Sequence, residues 1–157
     1  LFKKEITCFV DDEDRIVKND GFYEWEVGKW NRSYGKERSP SFVIGDHRWS
    51  LELYRDGDGS ENRKYVSVYL VCLNPEFNKE EGTWVNAILY LRNCEENTES
   101  FCFDVLEIRN FNRNNRDWGF SRLIKKKALF ESKTNKPVIE NGKCIVGVYL
   151  HIYGKGK

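Results

Sequence analysis

Five cysteines and two histidines are the residues of this chain best suited to covalent or metal chemistry. A thiol nucleophile needs a base within reach and a third group to hold that base. Cys8, Cys72, Cys94, Cys102 and Cys144 include no C-x-x-C pair, and Cys72 and Cys144 sit in alternating apolar runs, as core fillers do. His47 follows Asp46 in an apparent turn, and His151 falls on the polar side of the last strand-like run. Neither histidine has a partner at ligand spacing, and no residue has the glycine-flanked setting of an activated nucleophile. The sequence therefore reads as non-catalytic, with no catalytic residue, no metal site and no cofactor. Odd in number and unpaired in spacing, the thiols point to a reducing compartment, hence an intracellular protein, cytoplasmic or nuclear.

Three further stretches are chemically suggestive. "DGDGSEN" looks like a calcium loop, but counting from Asp56 puts Glu61 where an EF-hand needs glycine and Ser67 where it needs glutamate. It reads instead as a connector between strands, with Gly57 and Gly59 allowing unusual backbone angles. Lys125-Lys126-Lys127 reads as a solvated face. "NNRDWGF" differs from both, because Trp118 and Phe120 flank Gly119 directly after the charged pair Arg116-Asp117 at the exit of a polar loop. Packing alone would turn both rings inward and let Asp117 cap a following helix. Recognition would use the rings, the bare glycine backbone and the charges as a docking surface.

Elements must position these residues, and the dominant period is two, which means strands. "YEWEV" places Tyr23, Trp25 and Val27 on one face; "WSLELY" does the same with Trp49, Leu51 and Leu53. "KYVSVYLVCL" alternates Val66, Val68, Leu70 and Cys72 against Tyr65, Ser67, Tyr69 and Val71. "WVNAILYL" and "KCIVGVYLHIY" continue the pattern, and "SFCFDVLEI" switches apolar parity near Val105 and Leu106, which predicts a bulge there. Phe120, Ile124 and Ala128 predict one short helix from about Phe120 to Phe130. Many short strands with regular turns and one brief helix define an all-β, antiparallel sandwich.

At 157 residues, with 15% aromatic and 32% charged residues, the chain is one globular domain. A net charge of +1 argues against nucleic acid as the main partner. No stretch reaches the ~20 apolar residues of a membrane span, so no membrane partner is expected either. A start at Leu1 without a signal-peptide core suggests a piece of a longer protein. Residues 1–19 read as an N-terminal extension or an extra edge strand around Ile6 to Val10, and residues 20–157 as the sandwich domain.

"GFYEWEV", "SPSFVIGDHRWSLELY", "KYVSVYL", "RDWGFSRLI" and "KCIVGVYLHIY" together, in this order, resemble the MATH domain (meprin and TRAF homology, TRAF-C-like), from about residue 20 to residue 153. The resemblance implies an eight-stranded antiparallel β-sandwich that binds short extended peptides in a shallow groove. It implies a substrate-recognition role in the ubiquitin system, as in BTB-type ligase adaptors, or the recognition domain of a larger deubiquitinating cysteine protease, or an oligomerising domain with a vestigial groove. It also implies peptide-binding roles for Tyr69, Arg116, Asp117, Trp118, Gly119 and Phe120. Ser121 stands where the adaptor branch has a lysine, and Ala87 near its groove phenylalanine, with Trp84 a possible substitute. No coiled coil precedes the domain here, so a monomer in isolation is expected.

Overall fold

The computed structural model describes residues 16–32, 34–74, 82–96, 100–132 and 136–154. Nine strands are found among them: β1 (Val17–Val27), β2 (Lys36–Arg38), β3 (Phe42–Ile44), β4 (His47–Tyr54), β5 (Tyr65–Cys72), β6 (Thr83–Arg92), β7 (Phe101–Phe111), β8 (Asp117–Lys125) and β9 (Cys144–Tyr153). One antiparallel sheet has the order β1-β9-β6-β7, and the other has β2-β4-β5-β8 with β3 also on β4. β2 and β3 pair with successive parts of β4 and amount to one strand interrupted at Ser39-Pro40-Ser41. Pro40 has no N–H to give a ladder. Ser39 bridges the break, its N–H donating to Leu51 O and its hydroxyl accepting from Leu51 N, both at 2.8 Å. Counted that way, the sandwich has the eight strands that the sequence implied.

The alternating residues face one another between the sheets. Trp25, Val27, Trp49, Leu51, Leu53, Val66, Val68, Leu70, Val85, Ala87, Leu89, Val146, Val148 and Leu150 all belong to one core, with Trp49 edge-on to Phe111 at 5.3 Å. Burial of these side chains is the main stabilising force, at about 1.5–3 kcal/mol for each large one.

Two expectations are corrected. No α-helix spans Phe120 to Phe130: Asp117–Lys125 is a strand, and only Lys126–Phe130 is helical, as a 3₁₀ turn. The helix-like spacing fits a strand equally well, because residues four apart share one face of either element. Val66 pairs with Ile124 and Val68 with Phe120, so Ser121, Arg122 and Leu123 all lie opposite Ser67. The three-for-one bulge keeps that parity, and Phe120 and Ile124 both pack against the core. Asp117 consequently begins a strand and caps no helix. In β7 the bulge falls at Glu107 and Ile108, opposite Asn86, just beyond the predicted place. The apolar switch at Val105 and Leu106 has another cause, since Leu106 faces the core and Val105 joins a second apolar cluster on the far side of the sheet.

Val17–Asn19 are the first residues of β1, so the 1–19 boundary cuts that strand. The proposed edge strand around Ile6 to Val10 lies outside the described residues. Among the described residues, no helix is long and apolar enough to cross a membrane. Cys72, Cys94, Cys102 and Cys144 are free thiols. Burial pushes the Cys102 thiol up to about 12 and also raises that of Cys144, so neither is an activated nucleophile.

Candidate peptide-docking edge

Among the described residues, β8 is the last strand of its sheet and pairs only with β5. Its register sets Leu70 opposite Trp118, Tyr69 opposite Gly119 and Val68 opposite Phe120. The Cys72 N–H donates to Arg116 O at 2.8 Å, which fixes the phase of the ladder. In an antiparallel pair the inward-bonding residues alternate with outward ones. Arg116, Trp118 and Phe120 thus turn their backbone groups to β5, and Asp117 and Gly119 turn theirs to the open edge. That row of N–H and C=O groups is a template for another extended chain.

Side chains divide between the two faces of the sheet. Trp118 and Phe120 turn inward and pack, half-buried, against the core. The Trp118 indole bridges to the other sheet, donating from Nε1 to Asn110 O at 3.0 Å, with the Arg109 guanidinium 5.3 Å from the ring centre. Tyr69, Asp117 and Gly119 share the outer face, where β4 adds Glu52 and Tyr54. Arg116 is exposed in the loop just before β8. All six sequence-predicted residues therefore lie at one edge of the sandwich, on opposite sides of its sheet.

The outer face is built around Tyr69. Its ring meets Tyr54 edge-on at 5.9 Å, and its hydroxyl donates to Asp58 Oδ2 at 3.0 Å. Burial, then that hydrogen bond and the Asp58 charge, raise its pKa, so it stays a neutral phenol. With its proton committed to Asp58, the hydroxyl offers only an acceptor to anything that docks. Glu52 is buried and held by Arg38, with Nη2–Oε2 at 2.5 Å, and by Lys36 at 3.5 Å. Asp117 has a raised carboxyl pKa, first from desolvation and then from Glu52, with Lys36 and Arg38 opposing. The resulting face is rich in carboxylates and acceptors.

Gly119 has a physical necessity of its own. A Cβ there would collide with the carbonyl oxygen of Val68 and come within 2.6 Å of Tyr69 Cα and 3.0 Å of its ring. β8 approaches β5 too closely for any side chain. The glycine is covered on its outer face by the Tyr69 ring and free only along the strand edge, which revises the picture of a wholly bare backbone.

Other sequence candidates fall elsewhere. Ala87 is buried in the core and Trp84 is partly exposed on the far sheet, so neither adjoins Tyr69. In the "DGDGSEN" loop, Asp56 Oδ1 accepts from Lys126 Nζ at 2.8 Å and Asp58 turns to Tyr69, so the two carboxylates serve different partners. Sequence reasoning did not assign Glu52, Tyr54 or Asp58 to the site. The alternation in "WSLELY" carried the signal for the first two, because it sets them on the face opposite the core, but the neighbour of β4 was not legible.

Comparison with known proteins supplies the family of this antiparallel sandwich. The family model described as MATH domain matches residues 22–150. The chain belongs to the MATH-domain family. It is 26% identical over 156 residues to ubiquitin carboxyl-terminal hydrolase 15 of Saccharomyces cerevisiae, covering 90% of this chain and 12% of that protein. It is 24% identical over 145 residues to TD and POZ domain-containing protein 2 of Mus musculus, covering 85% of this chain and 38% of that one. Among solved structures it is similar to TRAF5 of Notothenia coriiceps, with a TM-score of 0.62 and 16% identity over 87% of this chain and 75% of the other. The chain spans well under half the length of both curated relatives.

Proposed function

We propose that this domain is a non-catalytic protein-interaction module that captures short extended segments of partner proteins along the free edge of β8. The observation that carries this reading is the outward row of Asp117 and Gly119 backbone groups, with Tyr69 on one side of the strand and Trp118 and Phe120 on the other. An added strand would pair its backbone with that row, and its alternate side chains would meet the two faces. On the outer face, Tyr69 and the carboxylates favour side chains that donate hydrogen bonds. Affinity in the micromolar range, about −8 kcal/mol, is the scale for so shallow an edge.

Both curated relatives bear on the parent protein. One is named as a ubiquitin hydrolase and the other as a POZ-domain protein. They favour substrate recruitment in the ubiquitin system, with this chain either the recognition domain of a deubiquitinating protease or part of a ligase adaptor. We place the domain inside the cell and expect it to act as a monomer when isolated.

The test is a random-peptide display selection on the domain, counter-screened with Asp117→Pro and Asp117→Ala. Proline deletes the outward N–H without disturbing the bonds to β5, which do not use that group. A motif held by the wild type and the alanine variant but lost on the folded proline variant is the expected result. Equal enrichment on the proline variant would remove the β8 edge from the binding mode.

A further inference from the structure

The open edge of β8 is short, and both of its ends are closed by specific hydrogen bonds. Alternation along the strand would turn the backbone groups of Asn115, Asp117, Gly119 and Ser121 away from β5. Asn115 instead uses its N–H and its carbonyl on Asn112, at 3.2 and 3.0 Å, in the turn between β7 and β8. Ser121 turns its carbonyl back toward β5, where the Ser67 hydroxyl donates to it at 2.6 Å. The N–H and C=O groups of Asp117 and Gly119 are what this leaves along the edge.

Ser67 is held in place for that bond. Its side chain is fully buried, and its oxygen accepts from the Asp58 N–H at 2.8 Å. A hydroxyl carries a single proton, and a donor already on the oxygen leaves that proton for the Ser121 carbonyl. Asp58 comes from the "DGDGSEN" loop, which here does more than connect β4 to β5. Gly57 has a φ of +80° and lies so close to Asn62 that a Cβ would strike its carbonyl. Asn62 is buried, with its Nδ2 donating to Asp58 O at 2.6 Å and its Oδ1 accepting from Arg122 Nε at 2.8 Å. Ser121 and Arg122, consecutive residues of the β8 bulge, are therefore both tied to β5 and this loop.

We propose that Ser67, positioned by the β4–β5 loop, ends the docking edge at Gly119 and limits a docked segment to two ladder-bonded N–H groups, two residues apart. This rests on the docking-edge reading and deepens it, because it sets the length of partner chain that the edge can read. Backbone bonds to Asp117 and Gly119 span about three residues of a segment running antiparallel to β8, and about five of a parallel one. The same serine anchors Asp58, whose carboxylate holds the Tyr69 hydroxyl. One buried hydroxyl thus fixes both the end of the edge and the acceptor beside it.

The probe is the strongest peptide from the display selection on the wild-type chain, N-methylated at one backbone nitrogen at a time and measured by calorimetry. For the wild type, two nitrogens, two residues apart, should each lose affinity by roughly 2- to 10-fold, and the others should tolerate the methyl group. In Ser67→Ala the released Ser121 carbonyl joins the outward row. A third nitrogen, two residues further toward Lys125, should then become sensitive. A merely structural serine would lower stability without changing that count. Any other count in the wild type overturns the proposal, and so does an unchanged count of two in folded Ser67→Ala. If that variant does not fold, Ser67→Cys, which keeps the shape but donates weakly, takes its place with the same two outcomes. Full affinity of the peptide for Asp117→Pro would instead sink the docking-edge reading itself, and this proposal with it.

Discussion

Tyr69 lies directly opposite Gly119, and its ring occupies the space over the glycine that a side chain would otherwise fill. Gly119→Ala should therefore strain the β5–β8 pair and cost about 1–3 kcal/mol. The main obstacle is the Val68 carbonyl, a backbone atom. Adding Tyr69→Ala should consequently not restore stability. Urea denaturation of the single and double variants checks this, and full recovery in the double variant would make the ring the obstacle.

Trp118 is a half-buried strut between the sheets. Trp118→Ala should cost about 2–4 kcal/mol, somewhat below the range for a fully buried ring. Trp118→Phe keeps most of the packing and loses the Nε1 bond to Asn110 O, with an expected cost of about 1 kcal/mol. Thermal melts of both variants separate the two contributions. For the same reason, loss of peptide binding by Trp118→Ala is ambiguous, and Asp117→Pro is the cleaner probe of the edge.

Asp117 should titrate above the ordinary carboxylate value of 3.8, with desolvation as the first cause and Glu52 as the second. A folded pKa above the unfolded one means that the native state binds more protons in that window. This group's contribution to stability therefore falls as pH rises through it. Arg38→Ala removes an opposing cation and should raise the midpoint further. Carbon-13 carboxyl titration by NMR reads both, and a midpoint at or below 3.8 would refute the assignment.

The sequence made the sandwich legible because alternation reports directly on which side chains face the core, as Trp49, Leu51 and Leu53 do. It also brought Tyr69 and the Arg116–Phe120 run to one edge, through resemblance more than through pattern. Two features were hidden for physical reasons. Residues 121–123 bulge opposite Ser67, whose hydroxyl donates to Ser121 O at 2.6 Å, and the four-residue spacing of Phe120 and Ile124 suits a strand face as well as a helix face. Val105 read as part of a parity switch, because alternation assumes that the face opposite the core is polar, whereas Ile88, Tyr90 and Val105 share an apolar cluster on that face.

Glu24 and Arg92 test that second buried face at its polar centre. Their side chains are 17% and 8% exposed, and Tyr90 shares the carboxylate while its ring lies against Gly147, where a Cβ would strike it. Breaking a buried pair leaves the surviving charge unsolvated, which costs about 3–5 kcal/mol, whereas removing both partners costs less. Glu24→Ala should thus be severe, and Glu24→Ala combined with Arg92→Met should be milder than the two single effects added together. A double-mutant cycle by chemical denaturation measures the coupling. Simple additivity would mean that solvent reaches the pair and that this face of the sheet is open.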